Sequence, residues 1–159
     1  MNEVIKFMFL NISTWVVWFF LVGFYVSKLS DNFLAKDHIF TKLFQFEKET
    51  IWFNHYLKID KWKDKVPELG NFFGKGFPKR SVGQAEISHL QLFIRETRRA
   101  EIAHWIMTAG WIFTIIFNPL WAIVFNLFFA HVVNFPCLLI QRYNRLRLSR
   151  VLEAKLGSS

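Results

Sequence analysis

Two long runs without a charged side chain decide what this chain can fold into. No Asp, Glu, Lys or Arg occurs in the 20 residues 7–26 or in the 39 residues 102–140. Because a helix rises 1.5 Å per residue, about 20 apolar residues cross a hydrocarbon core of about 30 Å. The first run predicts a transmembrane helix over residues 4–26, and it is longer than the apolar core of a signal peptide. The chain is therefore expected to be an all-α integral membrane protein.

The second uncharged run, residues 102–140, predicts a C-terminal transmembrane helical hairpin. It is too long for one ordinary span and slightly short for two full ones. Asn118-Pro119, a pair typical of turns, divides the run into a short first limb and a second limb of spanning length. The first limb either spans the membrane or re-enters, and the sequence leaves both possibilities open.

The charged residues are concentrated in two segments outside the apolar runs. Residues 27–101 hold 14 Lys/Arg and 10 Asp/Glu among many aromatic side chains, which predicts cytoplasmic or interfacial amphipathic helices. Residues 141–159 form a basic tail with five cationic side chains and one Glu. The positive-inside rule places both segments in the cytoplasm and the N-terminus outside, as expected for a multi-pass protein of the cell membrane. The net charge of +8 favours an anionic lipid or substrate over nucleic acid, since no nucleic-acid motif is present.

The helical segment ETRRAEIAHW, residues 96–105, carries polar side chains to the edge of the second apolar run. Arg98, Glu101 and His104 lie on one side of this helix at spacings of three residues. A carboxylate one turn from an imidazole can orient it, and histidine suits proton transfer near neutral pH. The spacing is compatible with His104 as a catalytic base oriented by Glu101. On spacing alone, however, the pattern favours simple anchoring of the helix beside Trp105 at the membrane boundary.

The stretch NFPCLLIQRYNRLRL, residues 134–148, brings amide and arginine side chains to the end of the second apolar run. Arginine binds phosphate in a bidentate manner, and an amide can donate a hydrogen bond to an oxyanion. The predicted substrate- and donor-binding residues in this stretch are Asn134, Gln141, Arg142, Asn144, Arg145 and Arg147. The alternative is simple attachment to anionic lipid, which needs only the positive charges.

Three further side chains are candidates on chemical grounds. Lys63 is a possible phosphate contact in the basic stretch KIDKWKDKVPE, although the sequence alone favours a solvated basic loop there. Cys137 is a possible acyl-carrying nucleophile, and His131 a possible lining of a substrate cavity. No metal site is predicted, because Cys137 is the single cysteine and the remaining histidines lack helix-spaced partners.

Three blocks in order, FEKETIWFNHYLKIDKWKDKVPE, ETRRAEIAHW and NFPCLLIQRYNRLRL, resemble the glycosyl-4,4'-diaponeurosporenoate acyltransferase family. These are small bacterial membrane enzymes of staphyloxanthin-type carotenoid synthesis, and the resemblance covers about residues 46–148. It implies transfer of a fatty acyl group to a hydroxyl of a glycosylated carotenoid acceptor. It also implies an acyl thioester such as acyl-CoA as donor, no further cofactor, and membrane lipid as the surroundings. The resemblance favours catalysis over anchoring, with His104 as the base, Glu101 orienting it and Arg98 binding phosphates of the donor. The matching W-K-x-K block adds Trp62 to the predicted substrate-binding residues.

Two other classes of protein are compatible with the residues themselves. An isoprenylcysteine methyltransferase-like enzyme would also place polar residues at the ends of membrane helices. A non-catalytic membrane partner protein would need none of the side chains predicted to carry chemistry. The oligomeric state, the acyl chain length and the identity of the acceptor stay open.

Overall fold

A computed structural model describes residues 3–48, 50–66 and 86–157, and every regular element within these residues is helical. The α-helices are α1 Glu3–Ser27, α2 Asp31–Leu34, α3 Thr50–His55, α4 Ile59–Trp62, α5 Ile87–Thr108 and α6 Leu120–Gly157. Short 3₁₀ segments occupy Gln45–Lys48, Lys63–Lys65 and Ala109–Ile116. The predicted helical class is confirmed for the described residues. Residues 67–85 of the predicted polar segment lie outside them.

Two helices, α1 and α6, are long and apolar enough to cross a membrane. Large apolar side chains such as Phe20, Phe125 and Phe128 are more than half exposed along them, as lipid-facing residues would be. With 38 residues, α6 is about 57 Å long, roughly twice the thickness of a hydrocarbon core. One continuous helix therefore carries both the apolar second limb and the basic tail, and Pro136 does not interrupt it. These features indicate membrane association.

Helices α5 and α6 form the predicted helical hairpin, with its turn at residues 117–119. The first limb narrows from α-helix to the 3₁₀ segment Ala109–Ile116 before the turn. Near the other end of the hairpin, Leu90 and Ile94 of α5 are buried against Leu148 of α6. The polar half of α5 is thus packed along the basic half of α6, and this packing sets the two helices side by side where the predicted site residues lie.

Helix α1 is fastened to the hairpin by a network of amide side chains. The side chains of Asn11 and Asn118 exchange two hydrogen bonds of 3.0 and 2.9 Å. Asn126 donates to Asn11 Oδ1 at 3.0 Å and accepts from the Trp15 indole at 2.7 Å. Polar groups in apolar surroundings need hydrogen-bond partners, and these amide side chains serve as partners for each other. The network makes α1 part of the same folded unit as the hairpin.

The segment between α1 and α5 packs against the basic half of α6. Phe53 of α3 and Ile59 of α4 are fully buried together with Ile140 and Tyr143 of α6. The predicted amphipathic helices of this segment are short, because Lys58 adopts a left-handed conformation with φ 48° between α3 and α4. The chain therefore wraps around the end of the hairpin and covers the polar face of α6.

Candidate active site

A buried cluster of four charged side chains lies between α5, α6 and the segment before α3. Glu101 at its centre is fully buried, and its two carboxylate oxygens accept hydrogen bonds from Arg142 and Arg145. Arg142 also binds Glu47 through two nitrogens, with a distance of 2.8 Å from Nε to Oε1. Two arginines and two glutamates balance in charge, which offsets the cost of removing them from water.

The remaining donors of the cluster bind backbone carbonyls. Arg142 donates to the carbonyl oxygens of Lys42 at 2.9 Å and Phe40 at 3.4 Å, and Arg145 donates to that of Thr41. In the same turn, the carboxylate of Glu47 accepts from the Phe44 N–H at 2.7 Å. The cluster thereby fastens the loop of residues 40–47 onto the α5–α6 hairpin.

These contacts correct two predictions from the sequence. Glu101 was expected to orient His104, but both of its oxygens are taken by arginines of α6. Arg142 and Arg145 were expected to bind a donor phosphate, but they are 4% and 2% exposed and are paired with carboxylates. A phosphate would have to displace a buried carboxylate to reach them, and in this structure both arginines join α6 to α5 and to the loop of residues 40–47.

His104 is hydrogen-bonded to a different residue, Asn134 of α6. This pair lies closer to the apolar end of the hairpin than the charge cluster does. The distance from His104 Nδ1 to Asn134 Oδ1 is 2.9 Å. The amide nitrogen of Asn134 donates to the Ala130 carbonyl at 2.9 Å, and the side chain is buried. The segment of residues 96–105 and the stretch of residues 134–148 therefore meet at this pair, with an amide in the place expected for a carboxylate.

The amide of Asn134 decides which nitrogen of His104 carries a proton. Because its nitrogen points at the Ala130 carbonyl, its oxygen is the atom that faces the imidazole. An amide oxygen only accepts, so the hydrogen-bond network assigns the proton of a neutral His104 to Nδ1. Nε2 is then an unprotonated nitrogen, and it makes no hydrogen bond within the described part of the chain. His104 itself is half-buried, so this nitrogen sits in a partly shielded position.

Arg98 lies away from His104 in the structure, contrary to its predicted role beside it. Its guanidinium donates to Asp37 at 2.8 Å and to the Leu34 carbonyl at 3.0 Å. Arg98 therefore fixes the chain after α2 against α5. Its position on the helix was predicted correctly, but the side chain turns to the loop.

Trp62 and Lys63 also have structural partners in the positions where substrate contacts were predicted. The Trp62 indole donates to the Leu57 carbonyl at 2.8 Å, and Lys63 pairs with Asp60 at 3.0 Å. Burial alone would raise the pKa of Asp60, but hydrogen bonds from Lys63 and Tyr143 outweigh it and hold that pKa below its usual value. The same pairing raises the pKa of Lys63 against the effect of its own burial. Both residues stabilise the turn around α4.

Three of the predicted residues remain available to a substrate. Gln141 and Asn144 are half-buried, and neither side chain makes a hydrogen bond to any residue that the structure describes. Arg147 is exposed, with its guanidinium 5.6 Å from the centre of the Tyr143 ring. Gln141 follows Asn134 by two helical turns and so lies on the same side of α6.

The two remaining candidates have only local contacts. Cys137 is half-buried, and its sulfur lies 3.6 Å from the Val133 carbonyl oxygen, a weak hydrogen bond. His131 is exposed on the apolar part of α6, and its Nδ1 lies 2.8 Å from the Leu127 carbonyl oxygen. Among the described residues, neither is hydrogen-bonded to an acid or base of the kind that activates a nucleophile.

Glu47 is the member of the cluster that sequence reasoning missed. It lies far from Arg142 in the chain, and no helical spacing connects the two. Two arginines buried beside the single carboxylate of Glu101 require a second negative charge. The sequence alone does not show which of the nine other acidic residues in 27–101 supplies it.

Comparison with known proteins places these residues within a family match. Residues 36–154 match the family described as glycosyl-4,4'-diaponeurosporenoate acyltransferase, a range that includes the buried cluster and the His104–Asn134 pair. The chain is 30% identical over 154 residues to the protein of that name from Staphylococcus aureus strain MRSA252, covering 96% of this chain and 92% of the relative. The identities to those of strains bovine RF122 / ET3-1 and USA300 are 30% and 29%, with the same coverage. No solved structure matches the chain.

Proposed function

This chain belongs to the glycosyl-4,4'-diaponeurosporenoate acyltransferase family and is an acyltransferase, and we propose that it acylates a hydroxyl of a glycosylated carotenoid from an acyl thioester such as acyl-CoA. The acceptor class rests on the names of its relatives. The thioester donor rests on chemistry, since a thioester carbonyl is activated for transfer to a hydroxyl without a further cofactor.

The observation that carries the proposed mechanism is the state of His104 Nε2, which makes no hydrogen bond to any residue that the structure describes. The oxygen of Asn134 lies 2.9 Å from Nδ1 and keeps the proton on that nitrogen. The lone pair of Nε2 is therefore directed away from Asn134. A neutral imidazole in this state is a general base. Its position at the start of the apolar limb suits a sugar hydroxyl whose carotenoid chain lies in lipid.

In the proposed reaction, Nε2 of His104 removes the proton of the acceptor hydroxyl as its oxygen attacks the thioester carbonyl. A carbon–oxygen bond forms and the carbonyl becomes an oxyanion, to which the amide of Gln141 or Asn144 can donate. The carbon–sulfur bond then breaks, and His104 returns its proton to the departing thiolate. The products are the ester and a free thiol. Arg147, the exposed arginine of the predicted set, can bind phosphates of the donor.

The proposed arrangement in the membrane follows the distribution of charge. We propose that α1 and the apolar half of α6 span the bilayer, with the N-terminus outside and the basic half of α6 in the cytoplasm. The first limb of the hairpin then enters the membrane near Trp105 and turns at Asn118-Pro119. This arrangement sets His104 at the boundary between cytosol and lipid, where a soluble thioester and a lipid-bound acceptor can meet.

A reconstituted assay tests the proposed function. Purified protein in lipid vesicles would be given a glycosylated carotenoid and either acyl-CoA or the same acyl group on a carrier protein, and ester formation would be followed by mass spectrometry. We expect one thiol released per ester formed with at least one of the two donors. Ester formation from a phospholipid acyl chain, with no turnover of either thioester, would contradict the proposed donor.

A further inference from the structure

A row of aromatic side chains crosses the outer surface of the segment that wraps the hairpin. We call Phe40, Phe44, Phe46, Trp52 and Tyr56 the aromatic band. Phe44 stacks on Phe46 with 5.5 Å between ring centres, Phe46 lies 4.9 Å from Trp52, and Trp52 lies 6.3 Å from Tyr56. All but Trp52 are more than half exposed, with Tyr56 at 70%. Contiguous exposed aromatic surface of this kind marks an interaction site in proteins.

The buried charge cluster holds the aromatic band in position. The guanidinium of Arg142 lies 5.3 Å from the centre of the Phe44 ring and donates to the Phe40 carbonyl. Glu47, which binds Arg142, accepts from the Phe44 N–H at 2.7 Å. The exposed rings are thus presented by backbone that is tied to the hairpin, and their exposure is a property of the fold.

The band is continuous with the apolar surface of the hairpin. Phe40 and Trp105 have ring centres 6.4 Å apart, and the Trp105 indole donates to the Phe40 carbonyl at 3.1 Å. Trp105 stands where α5 passes from its charged half to its uncharged half. An aromatic residue at such a point is typical of the headgroup level of a bilayer.

The charge beside the band is positive. Lys36, Lys42 and Lys48 are exposed. Two of the three carboxylates in residues 36–56 are engaged, since Asp37 pairs with Arg98 and Glu47 is buried against an arginine, while Glu49 lies outside the described residues. Lysines next to exposed aromatic rings are the combination that binds anionic phospholipid, through headgroup attraction and burial of the rings at the interface.

We propose that the aromatic band and its three lysines form a docking surface for anionic phospholipid on the cytoplasmic face of the membrane. The segment of residues 36–56 then lies in the membrane interface instead of projecting into the cytosol. It contacts lipid next to Trp105 and His104. The proposal does not depend on the reaction that His104 performs. It predicts that the rings of Phe46 and Tyr56 are reached from lipid and shielded from water.

Site-directed fluorescence quenching tests the lipid contact. A single cysteine would be placed at Phe46 or Tyr56 in a Cys137→Ser background, labelled with an environment-sensitive dye, and reconstituted into vesicles of phosphatidylcholine and phosphatidylglycerol. Lys61 provides the matched control, since it is exposed on α4 and is not part of the band. We expect strong quenching by nitroxide-labelled lipid at positions 46 and 56 and weak quenching by aqueous acrylamide, with the reverse at position 61.

Two results would overturn the proposal. One is quenching by acrylamide at 46 and 56 as strong as at 61, which means that the band faces water. The other is shielding of 46 and 56 from both quenchers, which means that protein covers the band, as in contact between two copies. The charge is tested by changing Lys36, Lys42 and Lys48 together to Gln. This variant should lose lipid quenching in mixed vesicles and resemble the parent protein in pure phosphatidylcholine, and an unchanged signal in both lipids would refute the role of anionic lipid.

Discussion

At the scale of single residues, the proposed chemistry depends on the hydrogen bond between His104 and Asn134. The side chain of Asn134 is held by its own bond to Ala130, so it presents a fixed acceptor to Nδ1 of the imidazole. That acceptor keeps the ring in one orientation and one tautomer, and both are needed if Nε2 is to act as the base. Asn134 is thus a positioning residue, distinct from the substrate-binding role that the sequence predicted for it.

Replacing Asn134 with leucine should lower kcat by about one to two orders of magnitude, part of the roughly 10²–10⁴-fold effect of a positioned base. The KM values for donor and acceptor should change little, because the side chain is buried behind His104. Asn134→Asp keeps an acceptor for the Nδ1 proton and should retain more activity than the leucine variant. Steady-state kinetics of the two variants provide the check. Equal loss in both, or loss confined to KM, would argue against the positioning role.

The residues of the site were only partly predictable from the sequence. Helical spacing predicts Arg98, Glu101 and His104 on one side of α5, and in the structure Arg142 and Arg145 of α6 contact Glu101 of this set. Partner choice was not predictable, because it depends on how far each side chain reaches across the α5–α6 contact. Glu101 contacts the arginines of α6, which lie farther from the apolar end of the hairpin than His104 does. Asn134 is the α6 residue directly opposite the imidazole.

At the scale of elements, the buried charge cluster joins three pieces of chain that are distant in sequence. Glu101 binds both arginines of α6, and Glu47 ties the loop of residues 40–47 to Arg142. A buried ion pair contributes little net stability compared with apolar packing, but removing one partner leaves an uncompensated charge. The cluster is therefore expected to be sensitive to any single change.

Glu101→Gln should lower the free energy of unfolding by about 3–5 kcal/mol, the usual cost of breaking a buried ion pair. Glu96→Gln is the matched control, since the Glu96 side chain is 41% exposed in its pair with Arg99 at 3.2 Å on the same helix. Ion pairs open to solvent contribute about 0–1 kcal/mol, so this variant should unfold much closer to the parent than Glu101→Gln does. Denaturant unfolding of the two variants in detergent compares them directly. Equal stability of the two variants would mean that the ion pairs of Glu101 do not stabilise the fold.

The contact between α1 and the first limb depends on the absence of a side chain at Gly110. A Cβ there would lie 2.4 Å from Cδ1 of Trp18 and 2.9 Å from Cζ3 of Trp15. The Trp18 indole donates to the Ile106 carbonyl at 3.2 Å, so it cannot shift without losing that bond. The glycine allows the 3₁₀ segment to approach the two tryptophans of α1.

Gly110→Ala should destabilise the protein by about 1–3 kcal/mol, as overpacking of a close contact does. Gly157→Ala serves as the control, because no atom lies within 4 Å of the position its Cβ would take. Thermal unfolding in detergent would measure both variants. A Gly110→Ala protein as stable as the control would show that α1 does not pack tightly on the hairpin.

The elements themselves follow closely from the sequence, since the uncharged runs and Asn118-Pro119 define α1, the turn and the apolar half of α6. The shortness of α3 and α4 does not follow, because a left-handed Lys58 has no signal comparable to glycine. The amide network of Asn11, Asn118 and Asn126 was also outside the reach of pattern analysis. Its members are spread over two helices and a turn, and only the folded chain brings them together.

At the scale of the whole molecule, the fold places a buried ionic cluster, a polar pair and an apolar limb in sequence along one hairpin. Glu101 with its arginines lies on the basic side, His104 with Asn134 follows, and the uncharged half of α6 continues beyond them. This order suits an acyltransferase that acts on a glycosylated carotenoid, because the proposed base, His104, lies where the charged half of α5 meets its uncharged half.

The most direct measurement compares His104→Gln with His131→Gln in the reconstituted acyl-transfer assay. Glutamine keeps a polar side chain of similar size at position 104 but cannot accept the hydroxyl proton, so kcat should fall by about 10²–10⁴-fold. His131 is exposed on the same hairpin and bonded only to its own helix, so its replacement should leave kcat near that of the parent. Near-normal turnover by a folded His104→Gln protein, or an equal loss in both variants, would contradict the account.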